Sequence, residues 1–219
     1  MDFGTMLGDS YEYAKEALVG KWVKWLLLII ISIIPIVNFI MFGYLMEIFR
    51  GARGAPELDE YGRLFIDGLK LFVVGLIYSI PIIIVYLVIF GATFVLMASG
   101  SNTAAAASIG TLVIGLLIIF VLAIVIALFE VIGTIRLART DSIGEAFNFS
   151  AILAHIGRIG WGTYIIALVI VMVAIAVVEV VLSIIPILGW ILLFILTPAF
   201  SIFAARYVTL LYDSAPAPA

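Results

Sequence analysis

A chain of 219 residues that is 66% hydrophobic and 11% charged, with no cysteine and a net charge of −3, is poorly suited to water. Soluble domains are about 45–50% apolar and about 25% charged, whereas the mean hydropathy here is +1.35. A soluble enzyme, a disordered chain, a basic nucleic-acid binder and a disulfide-stapled secreted module are excluded, and a polytopic membrane protein remains.

The first twenty residues carry Asp2, Asp9, Glu12 and Glu16. They lack the basic start and small-residue cleavage site of a secretory signal, so the first apolar segment is expected to stay in the mature chain. Apolar stretches then run over 22–49, 69–97, 103–135, 161–185 and 187–212. Each reaches the about 20 residues a bilayer crossing needs. None alternates polar and apolar residues as a membrane strand does, so the class is an all-α integral membrane protein.

The basic residues set the number of crossings. Lys and Arg collect on the cytoplasmic side. Lys15, Lys21 and Lys24 stand before or at the start of the first apolar stretch, and Arg50, Arg53, Arg63 and Lys70 follow it. One span over 22–49 puts these two groups on opposite sides; a reversal near Pro35 puts both inside. The run Ser32-Ile-Ile-Pro35-Ile-Val-Asn38 recurs as Ser183-Ile-Ile-Pro186-Ile-Leu-Gly189, and proline with a following Asn or Gly suits a tight helical turn. The expectation is six transmembrane helices with both termini cytoplasmic. The alternative is five, with the first hairpin a single kinked span. The whole chain forms one domain: a helical hairpin 14–53, an interfacial helix 57–68, a central pair 69–135, an interfacial helix 142–157, a second hairpin 161–212 and a disordered tail 213–219.

Both interfacial helices belong to the cytoplasmic side. Leu58, Tyr61, Leu64, Phe65 and Leu69 share one helical face, and Asp59, Arg63 and Asp67 stand at ion-pair spacing on another. Further on, Ser142 followed by Glu145 predicts a capping box. Gly157, Gly160 and Gly162 end that element, and Trp161 and Tyr164 suit the headgroup level.

Gly43-Tyr44, Arg50, Arg53-Gly54, Pro56, Asp59-Glu-Tyr61-Gly62, Leu64-Phe65, Asp67-Gly68 and Lys70 together form a signature. With the later Glu145-Ala-Phe147-Asn-Phe149, it resembles the archaeal membrane-protein family called domain of unknown function 4013. This copy has a single Pro56 where the family often has two, and Tyr61 where Trp is common. The resemblance implies a multi-pass archaeal membrane protein and transfers no functional residue.

Ionisable residues within apolar segments are functional candidates, because charge in a bilayer costs several kcal/mol. Glu179 lies six residues before Ile185. It reads either as an intramembrane proton or cation site, or as a neutral acid bonded to Ser32, Ser183 or a carbonyl at Pro186. Glu47 and Glu130, with Arg50, Arg53, Arg136, Arg139 and Arg206, fall near the inner helix ends. They read as an ion network fixing helix register, or as a gate or anionic-lipid contact. His155 has Arg158 on its helix face, and no second His or Cys exists to complete a zinc site. Asn148-Phe-Ser150 matches a glycosylation sequon but falls on the inner side. No Walker loop, nucleophile elbow or HExxH occurs.

The expected function is a structural or accessory component of the cell membrane. It is not expected to be an enzyme and needs no metal or cofactor. Its partners are the lipid bilayer, other membrane proteins or itself, and no nucleic acid. The alternative is a small transporter or channel using Glu179. A lipid enzyme with Arg50, Arg53, Arg136, Arg139 and Arg158 holding phosphate lacks an Asp-rich metal motif.

Overall fold

The computed structural model describes residues 2–216, and among these it contains helices and turns only. The order is α1 (Phe3–Leu18), α2 (Trp22–Ile33), α3 (Phe39–Phe49), α4 (Tyr61–Ala98), α5 (Asn102–Thr140), a 3₁₀ turn (Ile143–Phe147), α6 (Phe149–Ile159), α7 (Trp161–Ser183) and α8 (Leu188–Asp213). Four of these, α4, α5, α7 and α8, are long and apolar enough to cross a membrane. The contact pattern divides the chain into one unit of residues 1–72 and 131–219, and a second of residues 73–130.

In the first unit α8 is the central element, packing against α1, α2, α3, α6 and α7. Tyr13, Ala17 and Leu18 of α1, Leu28 and Ile31 of α2, Tyr44 and Ile48 of α3, and Ile202 and Ala205 of α8 form a continuous buried cluster. The second unit consists of the remaining parts of α4 and α5. Its large apolar side chains are exposed, among them Leu87 at 61%, Phe94 at 66% and Phe120 at 64%. Such a surface belongs in lipid, which is as apolar as the side chains themselves.

The reversal near Pro35 is present. α2 ends at Ile33, Asn38 N–H donates to Ile34 O at 2.8 Å, and α3 begins at Phe39. Lys21, just before α2, reaches Glu57, beyond α3, at 2.9 Å, so the chain has doubled back. The second copy of the motif also turns, with Ile187 held at φ +61°, a strained value for a β-branched residue. Gly189 permits the crossing there: a Cβ on it would lie 1.8 Å from Leu182 O.

Some boundaries differ from expectation. The first helix of the hairpin was expected to run unbroken from near Ala14 to the turn at Pro35. Instead α1 is a separate amphipathic helix, capped by Asp2 and broken from α2 at Gly20, φ +82°. With 12 and 11 residues, α2 and α3 rise about 18 and about 17 Å, less than the about 30 Å bilayer core. The expected interfacial helix over 57–68 is not a separate element; helix begins at Tyr61 and continues unbroken to Ala98. The Ser142–Glu145 capping box does not form. Ser142 makes no side-chain cap, Glu145 turns to Arg136 and Asn148, and Asn148 caps α6 by accepting from Ala151 N–H at 3.2 Å. Helix α8 runs to Asp213, so the tail is shorter than 213–219, and residues 217–219 lie outside the described residues.

Candidate functional site

The polar residues of the first unit converge on the segment joining α3 to α4. Its upstream boundary is a close crossing of the two helices. A Cβ on Gly43 would lie 1.8 Å from Leu64 O, and one on Gly68 would lie 1.7 Å from Phe39 O. Only glycine allows backbones so near one another. Phe39 fills the space beside the crossing, with Phe65 at 5.5 Å and Phe72 at 5.1 Å between ring centres.

That approach places Glu47 of α3 beside the first turns of α4. Glu47 Oε1 is 2.6 Å from Arg50 Nη1 and 2.6 Å from Arg63 Nη1. Arg50 Nη1 is also 2.7 Å from Asp67 Oδ2, a charge contact rather than an aligned hydrogen bond. Asp67 is buried, and Lys70 lies 3.4 Å from its other oxygen. Lys70 reaches Asp141 at 2.7 Å, joining the end of α5 to the start of α4. Arg63 therefore pairs with Glu47 and with Glu60, not with Asp59 and Asp67 as helical spacing suggested.

Beyond Glu47, the chain from Ile48 to Glu57 is held mainly through its carbonyls. Thr209 Oγ1 gives its proton to Ala205 O at 2.7 Å and lies 3.4 Å from Ile48 O, and Arg139 Nε donates to Phe49 O at 2.8 Å. Arg206 Nη1 donates to Ala52 O at 3.1 Å, and Tyr13 OH donates to Gly54 O at 3.1 Å. Lys24 Nζ donates to Pro56 O, while Lys21 and Lys24 both pair with Glu57. The last carbonyls of a helix carry partial negative charge, so cations here offset the α3 dipole. Gly51, φ +89°, leaves room for the Arg139 guanidinium, which a Cβ would approach to 2.8 Å. Arg139 also pairs with Asp213 at 2.7 Å, and Arg206 stacks over the Tyr13 ring at 4.7 Å. The Lys21 hydrogen bond and the Lys24 charge hold the Glu57 carboxyl below its usual range.

A third group ties α6 to the chain end. Arg136 pairs with Glu145, and that hydrogen bond lowers the Glu145 carboxyl. His155 is buried and stacks on Tyr212 at 3.9 Å. Its Nδ1 faces Arg158 Nη2 at 3.0 Å and its Nε2 faces Tyr212 O at 3.0 Å. The guanidinium only donates and the carbonyl only accepts, so the ring is the neutral Nε2–H tautomer. Burial lowers the His155 pKa first, the backbone bond to Tyr212 opposes this, and the charges of Arg158 and Arg136 reinforce it.

The remaining candidates are separate from these contacts. Arg53 is exposed and joins no ion pair among the described residues. In the second unit Glu130 is half-buried, and a Cβ on Gly75 would lie 3.5 Å from its Oε1. Glu179 is exposed and borders a cleft of about 660 Å³ between α7 and α8. Among the described residues Glu179 makes no hydrogen bond to either serine, whose own protons go to Val180 O at 2.8 Å from Ser183 and to Leu28 O at 2.7 Å from Ser32. Among the described residues no group of three or more His, Cys, Asp or Glu could hold a metal ion.

The individual arginines were legible in the sequence, but Tyr13, Asp141 and Asp213 were not singled out as their companions, nor Glu57 as the partner of Lys21 and Lys24. Asp141 and Asp213 follow or close long apolar stretches, the one sequence sign of a helix-end partner. A family model described as "Protein of unknown function (DUF4013)" matches residues 26–187. No curated protein and no solved structure matches the chain.

Proposed function

Because the chain belongs to the family of unknown function DUF4013, no activity comes with membership, and we propose from its own geometry that it is a structural or accessory component of the cell membrane, without chemistry of its own. One observation carries this reading. Apart from Arg53 and Asp59, the charged groups of the α3–α4 junction are engaged with one another or with backbone carbonyls from Phe49 to Pro56. Groups held this way fix helix positions and are not open to a substrate. Arg53 faces outward and is free to meet a lipid phosphate.

Both termini lie in the cytoplasm in this reading. Helices α4, α5, α7 and α8 cross the membrane, and the short α2–α3 hairpin enters and leaves on the inner side. A re-entrant hairpin returns the chain to the side it left, as two full spans do, so the placement of the termini is the same as for six crossings. Mild-detergent extraction from native membranes tests the accessory role. A reproducible stoichiometric assembly with another membrane protein is expected. A chain that always emerges alone overturns it.

A transport role is favoured by a different observation, the exposed Glu179 on a cleft that also holds Ser183, Thr197 and Ser201. Proton or cation flux into liposomes that falls in Glu179→Gln supports that role. Equal absence of flux in both proteins removes it.

A further inference from the structure

The α7–α8 cleft has a chemical character that its size alone does not convey. Its polar lining is Glu179 and Ser183 on α7 and Trp190, Thr197 and Ser201 on α8. Each hydroxyl already donates its proton to its own helix: Ser183 to Val180 O at 2.8 Å, Thr197 to Leu193 O at 3.1 Å and Ser201 to Thr197 O at 3.0 Å. A hydroxyl has one proton and two lone pairs, so these groups present acceptors only. Glu179 adds a carboxylate. The single donor among the lining side chains is the Trp190 indole N–H, and the ring face beside it attracts cations. An array of acceptors around one acid is complementary to a cationic donor.

The chain does not bring that donor itself. No Lys or Arg occurs between Arg158 and Arg206, the stretch that contains both α7 and α8 up to the inner end of the latter. A second copy docked on the same cleft sets Glu179 against Glu179 and adds no cation from this hairpin. The cleft is also elongated. Its α8 side runs from Trp190 to Ser201, which is about 17 Å or three helical turns. That is the footprint of a helix. The rest of the lining, with Val180 at 60% and Phe194 at 48% exposure, is apolar as an intramembrane contact requires.

We propose that the α7–α8 cleft is the docking site for a transmembrane helix of a different protein, one that presents a lysine or arginine to Glu179. This deepens the accessory reading and rests on it. Charged side chains within a bilayer pair with one another in preference to standing alone, which gives the pairing both its strength and its selectivity.

The test uses the full chain reconstituted in phosphatidylcholine vesicles with labelled leucine-rich helical peptides of about 20 residues. The peptides carry Lys, Leu or Glu at one central position, and association is read by energy transfer. The Lys peptide is expected to bind at least about tenfold more tightly than the Leu peptide. Glu179→Gln should abolish that preference, and Glu179→Lys should transfer it to the Glu peptide. The charge swap also controls for misfolding, since a collapsed variant binds neither peptide selectively. Equal binding of Lys and Leu peptides, or a preference that survives in Glu179→Gln, overturns the proposal. So does displacement of the Lys peptide by butylammonium at concentrations that saturate the cleft, which marks a small-amine site. Glu179-dependent energy transfer between two copies of the chain, with no peptide present, overturns it in favour of self-association. If peptide selectivity fails while the native assembly persists, the accessory role stands and its contact lies elsewhere.

Discussion

Asp67 shows how much depends on a single carboxylate. It is buried, touches Arg50 at 2.7 Å and Lys70 at 3.4 Å, and connects α4 to the α3 end. Removing one member of a buried ion pair leaves the other charge without compensation, typically at about 3–5 kcal/mol. Arg50 and Lys70 are each about a quarter exposed, so water relieves part of this. Asp67→Ala is expected to lower stability by about 2–3 kcal/mol in a detergent unfolding titration. A change under about 0.5 kcal/mol removes Asp67 from the structural core. His155 makes a pH-dependent contribution. Its folded pKa lies below the usual 6.5, so the unfolded chain takes up a proton more readily. Stability is therefore full above about pH 6.5 and declines as pH falls below it. The lowered carboxyls of Glu57 and Glu145 titrate below 4.5 and leave that window to histidine. Melting temperature is expected to drop between pH 7.5 and 5.5 in the wild type and to stay level in His155→Gln; parallel curves refute the assignment.

Helices meet here by backbone approach as much as by side-chain packing. The α3–α4 crossing relies on Gly43 against Leu64 and Gly68 against Phe39. The obstacle to a methyl group at either site is a carbonyl, which cannot rotate away. Gly43→Ala and Gly68→Ala are each expected to lose at least about 2 kcal/mol and to loosen the Glu47–Arg63 pair. Gly62→Ala, with open space around its position, should be neutral and serves as the control. Protease sensitivity of the α3–α4 segment reports the difference. The glycines belong to the sequence signature, yet their purpose is invisible there, because the opposing carbonyls lie 21 and 29 positions away. The hairpin turns, by contrast, were legible. The repeated Ser-Ile-Ile-Pro run marks them, since Pro35 and Pro186 lie in turns whereas Pro81 and Pro198, outside that run, sit within α4 and α8. The break at Gly20 has no proline to mark it, and Lys15, Lys21 and Lys24 give no local sign of it. Lys21 and Lys24 turn to Glu57 and Pro56, 36 and 32 positions away.

For the molecule in its membrane, the prediction is one of sidedness. The chain has no cysteine, so single introduced cysteines report location without background. Probes at Asn38, Ser101 and Ile187 should react from one side if the first hairpin spans fully, with Asp59 reacting only from the other. A re-entrant first hairpin predicts protection at Asn38 with Ser101 and Ile187 still reactive from outside. Gly189 is unsuited to such a probe, since a Cβ there meets Leu182 O at 1.8 Å. Composition pointed to the membrane class and the helical backbone, and the repeated Ser-Ile-Ile-Pro run to the reversal points, because solvation of apolar side chains and the turn chemistry of a short motif act locally. Tertiary structure alone decided which cation meets which acceptor. Lys70 and Asp141 stand 71 residues apart, and Arg206 and Ala52 stand 154 apart. Coulomb attraction and hydrogen bonding act over a few ångströms of space, and the packing of α8 against α1 and α3 is what carries Arg206 to the Ala52 carbonyl.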